Sequence, residues 1–415
     1  MKDGFLRLVR VPVALEMLFE AIPDTDPPAE TVPVPAALGR VTAKDVSAPE
    51  DLPGFTRSSM DGFAVKASDI FGASESLPAY LELVGEVLMG RAPGVTVGGG
   101  KAARISTGGV LPEGADAVVM VEDTEISGDT VEVARSVAPG ENIVRRDEDI
   151  ARGSILLDKG TVVGAAQIGA LAGLGILTIE VFERPVVGII STGDELVPPE
   201  AKPAPGQVRD INSAALAAAV RRHGCEARAY GIVEDELGRL LSSSRRALAE
   251  CDTLIISGGS SVGVRDVTLD VIAELGRPGV LTHGLYLKPG KPTLLAVCGG
   301  KPVLGFPGNP ASALAVFGEI FVPVLARLRG EAPTALEGTP RVIEAELDRS
   351  IASATGRLEL VPVAVNRVGE RLVATPIMGK SNLIGTLARA MGNIRVPEGS
   401  EGLGRGQMVT VELLD

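Results

Sequence analysis

The chain has 415 residues, 45% of them apolar, with 40 basic against 53 acidic side chains and a net charge of −13. That length divides into roughly two to four domains with ample apolar content for buried cores, and the acidity argues against a phosphate-backbone partner such as nucleic acid. Two histidines and three scattered cysteines, Cys225, Cys251 and Cys298, leave no zinc set and fit core packing in a reducing cytoplasm.

In chain order, Met1 to Ile22 is no signal peptide, because Arg7, Arg10, Glu16 and Glu20 interrupt its apolar residues; Pro12 to Ile22 reads as an amphipathic helix. A Pro-rich link, Pro23 to Pro35, follows, then a short helix or turn with an extended segment to Pro49. Residues 51–63 have neither helical nor strand period; their Arg57, Ser58, Ser59 and Asp61 suit a functional loop and a plain surface loop about equally. Short β-like runs follow at Leu81 to Val84, Ala103 to Ser106, Ala117 to Val121 and Thr130 to Val133, separated by glycines, the pattern of a small all-β unit. The charged run Arg145 to Asp149 reads first as a solvated turn. Val162 to Ile179 approaches the length of a bilayer span, yet Gly164, Gly169, Gly173 and Gly175 divide it into a helix and a strand, Ile176 to Val181, so no membrane segment is expected.

From Arg184 to about Leu328 strands and helices alternate: strand Val186 to Ile190, helix Ser213 to His223, strand Ala227 to Val233, helix Leu237 to Ala249 and strand Thr253 to Ile256. Helix Val267 to Leu275, strands Thr293 to Val297 and Val303 to Phe306, and helix Pro310 to Leu328 complete a doubly wound, parallel-type α/β unit. Beyond Gly330 the runs Val342 to Leu347, Leu358 to Val365, Leu372 to Pro376 and Met408 to Leu414 suggest a small β domain, with a helix from Ile384 to Ala390. The fold class is therefore multidomain α/β plus β, divided as 1–50 with 140–182, an inserted β-rich unit 51–139, the α/β unit 183–328 and the C-terminal β unit 329–415.

The chemistry gathers at strand ends. Thr253 to Ile256 runs into Ser257-Gly258-Gly259-Ser260-Ser261-Val262-Gly263-Val264-Arg265-Asp266, where glycines admit close backbone approach and the following helix presents its positive end to an anion. An ordinary strand-to-helix turn is an even alternative for that loop taken alone. Val186 to Ile190 leads to Ser191-Thr192-Gly193-Asp194-Glu195, placing adjacent carboxylates at a strand end. Lys288-Pro289-Gly290-Lys291-Pro292 sets two ammonium groups on a proline-stiffened backbone, and Val303 to Phe306 runs into Pro307-Gly308-Asn309-Pro310-Ala311-Ser312. Asn309 and Pro310 are also what a helix start asks for, so structure alone explains part of that motif. In open α/β sheets ligands sit beyond the strands' carboxyl ends; these groups together suggest a phosphorylated substrate with a divalent cation.

These motifs, with Ser59-Met60-Asp61-Gly62-Phe63 and Thr107-Gly108 before them, occur in an order and at spacings that resemble the MoeA family of molybdopterin molybdenumtransferases, which includes the E domains of proteins such as gephyrin. The resemblance spans essentially the whole chain and implies a cytoplasmic homodimer whose active cleft is shared between one subunit's α/β domain and the other's N-terminal domains. It implies insertion of molybdenum from molybdate into adenylylated molybdopterin, with magnesium assisting pyrophosphate cleavage and AMP release; tungstate is an alternative oxyanion. Thr107, Gly258, Gly259, Ser261, Gly263, Asn309 and Ser312 would bind the pterin phosphate or adenylate. Asp194, Glu195, Asp235 and Asp266 would hold magnesium; Lys288, Lys291, Pro307, Pro310, Arg357 and Ser381 would meet the oxyanion. Asp61 and Asp149 would reach the cleft from the partner subunit and join Glu195, Asp235 and Asp266 as catalytic groups. Phe63, Ser260, Phe306, Asp147, Pro362 and the Met378-Gly379-Lys380-Ser381 run depart from the family's usual residues. A molybdopterin adenylyltransferase, a tungsten-specific paralogue and a non-catalytic scaffold are the alternatives, and an adenylyltransferase and cofactor-accepting proteins are the expected partners.

Overall fold

The architecture is taken from a computed structural model that describes residues 7–258, 267–333 and 341–414. At its centre a six-stranded sheet has the order Glu226–Val233, Val186–Thr192, Thr253–Ser257, Lys301–Phe306, Leu294–Cys298, Pro278–His283. The first four strands are mutually parallel, as the βαβ alternation requires. The last two pair antiparallel to their neighbours, so the sheet is mixed and not wholly parallel. The reason is local: Gly299 and Gly300, at φ +60° and +80°, close a two-residue hairpin that no crossover helix could replace. Strand Pro278–His283 was not expected from its sequence, Pro-Gly-Val-Leu-Thr-His, which alternates weakly and opens on the turn-forming pair Pro278-Gly279.

Side chains alternate between the two faces of the sheet, and each face has its own core. Val187, Ile189, Ile255, Leu295, Leu304 and Phe306 meet Leu216, Val220, Phe317, Phe321 and Val324 on one side. Helix Val11–Ala21 joins that face through Val11, Ala14 and Leu18. Ile190, Leu254, Ile256, Leu294 and Val303 meet Leu240, Ala247, Val271 and Ile272 on the other. The helical run Pro310–Leu328 is, among the described residues, the one helix long and apolar enough to cross a membrane by composition, but it packs its apolar face into the first of these cores. A π turn at Phe317–Phe321 widens it; Pro323, which has no N–H to give to a preceding carbonyl, sits just beyond. The stretch that imitates a span in sequence divides into helix Ala165–Gly173 and strand Thr178–Phe182, the latter paired with Ala29–Pro33.

The N-terminal β unit is a six-stranded sheet ordered Ala117–Met120, Gly62–Val65, Lys101–Ile105, Ala79–Val87, Thr130–Val133, Thr124–Ser127. Gly62 is obligatory there: a Cβ would lie 1.8 Å from the Val119 carbonyl oxygen. At the C-terminal end, Leu358–Val368, Arg371–Pro376, Val342–Leu347, Met408–Leu413 and Gly392–Val396 close on themselves, since the first pairs also with the last. Onto the outer edge of Leu358–Val368 the short strand Leu287–Lys288 is added in parallel, fastening the β barrel to the α/β unit. The helix expected over Ile384 to Ala390 is a single turn, Ile384–Leu387. Gly385 lies inside it and the strand Gly392–Val396 follows at once, leaving no length over which helix propagation could offset nucleation.

Candidate functional site

Two neighbouring centres form at the carboxyl ends of the parallel strands. The first is acidic. Strand Val186–Thr192 and its partner Glu226–Val233 end side by side, and the turns beyond them carry Asp194, Glu195 and Asp235. The Asp235 amide donates to the Asp194 carboxylate at 3.4 Å, and the Thr192 hydroxyl donates to the Asp235 carboxylate at 3.3 Å. Burial pushes the Asp235 carboxyl above the usual aspartate value, with the charges of Asp194 and Glu195 adding to the rise; the Thr192 hydrogen bond opposes them. Among the described residues no group of three or more carboxylate, imidazole or thiolate side chains is close enough to chelate a metal without further ligands.

Beside the acidic centre the chain is compressed to the backbone. Gly258, at φ +116°, closes strand Thr253–Ser257; a Cβ there would stand 1.9 Å from the Thr192 carbonyl oxygen. Its amide donates to the Phe306 carbonyl at 3.1 Å, and Gly308 approaches from the next strand end, 3.7 Å from the Gly258 Cα to the position its own Cβ would take. Three strand ends thus meet at two glycines, which bring backbone close to backbone. Asn212 ties this junction together: buried, it donates to the Ser257 hydroxyl at 2.8 Å and the Gly308 carbonyl at 2.9 Å. In sequence Asn212 reads only as a helix-opening residue, and nothing local signals that its amide spans two loops. Gly259, Ser261, Gly263 and Asp266 lie outside the described residues, as does Ser260.

The second centre is basic. A cleft of about 1340 Å³ opens between the α/β unit and the C-terminal barrel, and Lys288, Lys291, Pro307, Asn309, Ser312, Arg357 and Ser381 all line it. Residues almost a hundred positions apart meet here because the Leu287–Lys288 strand pairs with Leu358–Val368, and because Asn309 and Ser381 bond across the gap. The Asn309 amide donates to the Ser381 hydroxyl at 3.0 Å, and the Ala311 N–H donates to the Ser381 carbonyl at 3.1 Å. Asn309 therefore stands at the helix N-cap position but turns its side chain to the barrel and makes no cap hydrogen bond. Pro310 opens the helix and is not among the cleft-lining residues. Lys288 is not free: its ammonium lies 2.6 Å from a carboxylate oxygen of Glu359, a residue that sequence reasoning passed over.

Asp61, Thr107 and Asp149 lie elsewhere in the protomer. The Asp61 carboxylate accepts from the Thr107 amide at 2.7 Å and its hydroxyl at 3.2 Å, at an exposed loop of the N-terminal β unit. Asp149 is exposed on a loop whose backbone bonds to Leu52. Neither aspartate lines the cleft. The three cysteines are buried, and burial raises their thiol pKa values, Cys298 to about 11, which keeps them unreactive in the core.

Comparison with known proteins covers nearly all of the chain. Residues 9–175 match the MoeA N-terminal region (domain I and II), residues 188–327 match the family described as "Probable molybdopterin binding domain", and residues 344–414 match the MoeA C-terminal region (domain IV). The molybdopterin molybdenumtransferase of Bacillus subtilis is 33% identical over 392 residues, 93% of this chain and 90% of the relative. The enzyme of the same name from Nostoc is 37% identical over 319 residues, 76% of this chain and 73% of its own. A molybdopterin biosynthesis MoeA protein of Pyrococcus horikoshii superposes with a TM-score of 0.82 at 31% identity, covering 98% of this chain and all of that one. From its first helix to its last barrel strand, the chain belongs to the MoeA family.

Proposed function

We propose that this protein is a molybdopterin molybdenumtransferase of molybdenum cofactor biosynthesis, taking adenylylated molybdopterin and an oxyanion, molybdate or tungstate, and releasing AMP. The observation that carries the reading is the meeting of a basic, hydroxyl-bearing cleft with an acidic strand-end centre across the Gly258–Gly308 junction. A phosphorylated ligand needs the glycine backbone and a counter-charge, a tetrahedral oxyanion needs cations with fixed donors, and both lie side by side here.

In this reading Gly258, with Gly259, Ser261 and Gly263, offers backbone N–H groups to the pterin phosphates, and Asn309 and Ser312 orient the ligand from the helix start. Lys288, Lys291 and Arg357 hold the oxyanion by charge, with the Ser381 hydroxyl and the Pro307 turn shaping its seat. Asp194, Glu195, Asp235 and Asp266 would hold magnesium. The donor set fits it: oxygen ligands only, in an acidic centre where burial first and the charges of Asp194 and Glu195 next raise the Asp235 pKa. When bound, the ion would neutralise charge building on the pyrophosphate as it is cleaved. Asp61, with Thr107 beside it, and Asp149 would complete the site from the partner subunit of a homodimer, since neither lines the cleft of its own protomer. The division into 1–50 with 140–182, 51–139, 183–328 and 329–415, and a cytoplasmic location, belong to the same reading. The β-rich units flanking the α/β unit set this chain apart from a single-domain adenylyltransferase.

The test is AMP release from adenylylated molybdopterin with magnesium, with and without molybdate or tungstate. Oxyanion-dependent release with metal retained on the product is expected. Release that ignores the oxyanion, or no turnover despite dimer formation, would replace the transferase with a binding or scaffold role. Lys291→Ala should raise the oxyanion KM about tenfold or more while leaving adenylate binding nearly unchanged.

A further inference from the structure

Among the described residues lining the basic cleft, Glu359 is the one carboxylate, beside five cationic side chains, Arg222, Lys288, Lys291, Arg357 and Lys380. A negative charge in a cleft built for an oxyanion calls for an explanation, and its contacts supply one. Lys288 and Glu359 stand opposite each other in the parallel pairing of Leu287–Lys288 with Leu358–Val368. Their side chains meet at 2.6 Å, with Glu359 only 13% exposed and Lys288 44% exposed. The other Glu359 carboxylate oxygen accepts from the Ser353 hydroxyl at 2.6 Å. Both oxygens are thus engaged, one by the Lys288 ammonium and the other by the Ser353 hydroxyl. Lys291 and Arg357, by contrast, have no carboxylate partner among the described residues.

We propose that Glu359 is a positioning residue that holds the Lys288 ammonium in the cleft wall and competes with the incoming oxyanion for it. This rests on reading the cleft as the oxyanion site. A dianion that reaches Lys288 shares that cation with a fixed carboxylate, while Lys291 and Arg357 remain fully available to it. The partial neutralisation keeps the anion from being trapped among several cations in a half-enclosed cleft, where charge pairs are screened less than at the surface. It also directs the Lys288 ammonium toward the neighbouring strand, where Glu359 stands opposite it. The consequence is an oxyanion bound loosely enough to move on to the second substrate.

The experiment uses the full chain with molybdate as probe, reading equilibrium binding together with the KM and kcat of AMP release. Glu359→Gln keeps the size and one accepting oxygen but removes the charge. Molybdate should then bind about tenfold more tightly with a lower KM, a steeper salt dependence and a reduced kcat. In a Lys288→Met background the same substitution should change affinity by less than about twofold, because the cation being competed for is gone. Glu359→Met provides a second charge-free variant and should also tighten binding. Unchanged or weaker binding in both variants, or an equal gain with and without Lys288, overturns the proposal. Lys291→Ala and Arg357→Ala test the underlying reading separately. If neither weakens molybdate binding, the cleft is not the oxyanion site and both ideas fall. If both weaken it while Glu359→Gln does not tighten it, only the competition falls.

Discussion

Asp235 illustrates how a functional carboxylate trades against stability. Its pKa is raised in the fold, by burial first and by Asp194 and Glu195 next, so folding disfavours its charged form relative to the unfolded chain. A carboxyl of that kind costs no stability below its ordinary value of 3.8 and costs progressively more as pH rises through the folded value. Asp235→Asn should therefore raise Tm at pH 7 by about one or two degrees, with the gain vanishing below about pH 4. Magnesium-dependent AMP release should fall on the order of a hundredfold in the same variant. Thermal melts across pH check the first statement; a variant less stable than the parent at pH 7 would mean that the carboxylate is already neutralised by a partner in the fold. At this scale Asp194 and Glu195 were recognisable in sequence as carboxylates at a strand end, and Asp235 through the family resemblance. Glu359 was not, because its meaning depends on facing Lys288 from a strand seventy positions away.

At the scale of elements, the strand-end junction depends on packing that no single motif encodes. Asn212 sits at the start of helix Asn212–Arg222 but spends its amide on Ser257 and Gly308, tying two strand ends together. Asn212→Ala leaves the buried Ser257 hydroxyl and the Gly308 carbonyl without their amide donor and should cost about 1–3 kcal/mol in denaturant unfolding. Activity should fall further than that loss of stability explains, since the Gly258–Gly308 approach loses its tie. Full activity with lowered stability would confine Asn212 to a structural part. Gly258 belongs to the same junction, because neither its positive φ nor its 1.9 Å clearance to Thr192 admits a Cβ. The glycine was legible as part of a Gly-rich loop; the carbonyl that excludes a side chain belongs to a neighbouring strand and was not.

For the whole molecule, the Arg395–Glu319 contact and the added strand Leu287–Lys288 fix the barrel against the α/β unit. Arg395 reaches both Glu319 oxygens, at 2.6 and 2.8 Å, from the opposite side of the interface. Burial nevertheless leaves the Glu319 pKa raised, the arginine offsetting it only in part. The basic cleft is thus a product of two units held in register. The shared site of the proposed homodimer makes a further prediction. Asp61→Asn and Asp235→Asn, each nearly inactive alone, should recover about a quarter of parental activity when mixed and allowed to exchange subunits, because half the dimers are mixed and each has one intact site. No recovery after confirmed exchange would place both residues in one protomer's site.

Length, apolar periodicity and turn residues were enough to determine the α/β alternation, the flanking β units and nearly every strand around the site, because those signals act within ten or so residues. The ordered motifs were enough to indicate the family. What needed tertiary structure was everything arising between distant segments. The hairpin at Gly299–Gly300 makes the sheet mixed, the addition of Leu287–Lys288 to the barrel edge brings the cleft walls together, and Glu359 pairs with one of the three lysines that line it. Strand pairing and ion pairing at that range are decided by which surfaces bury one another, and local sequence does not record its partner.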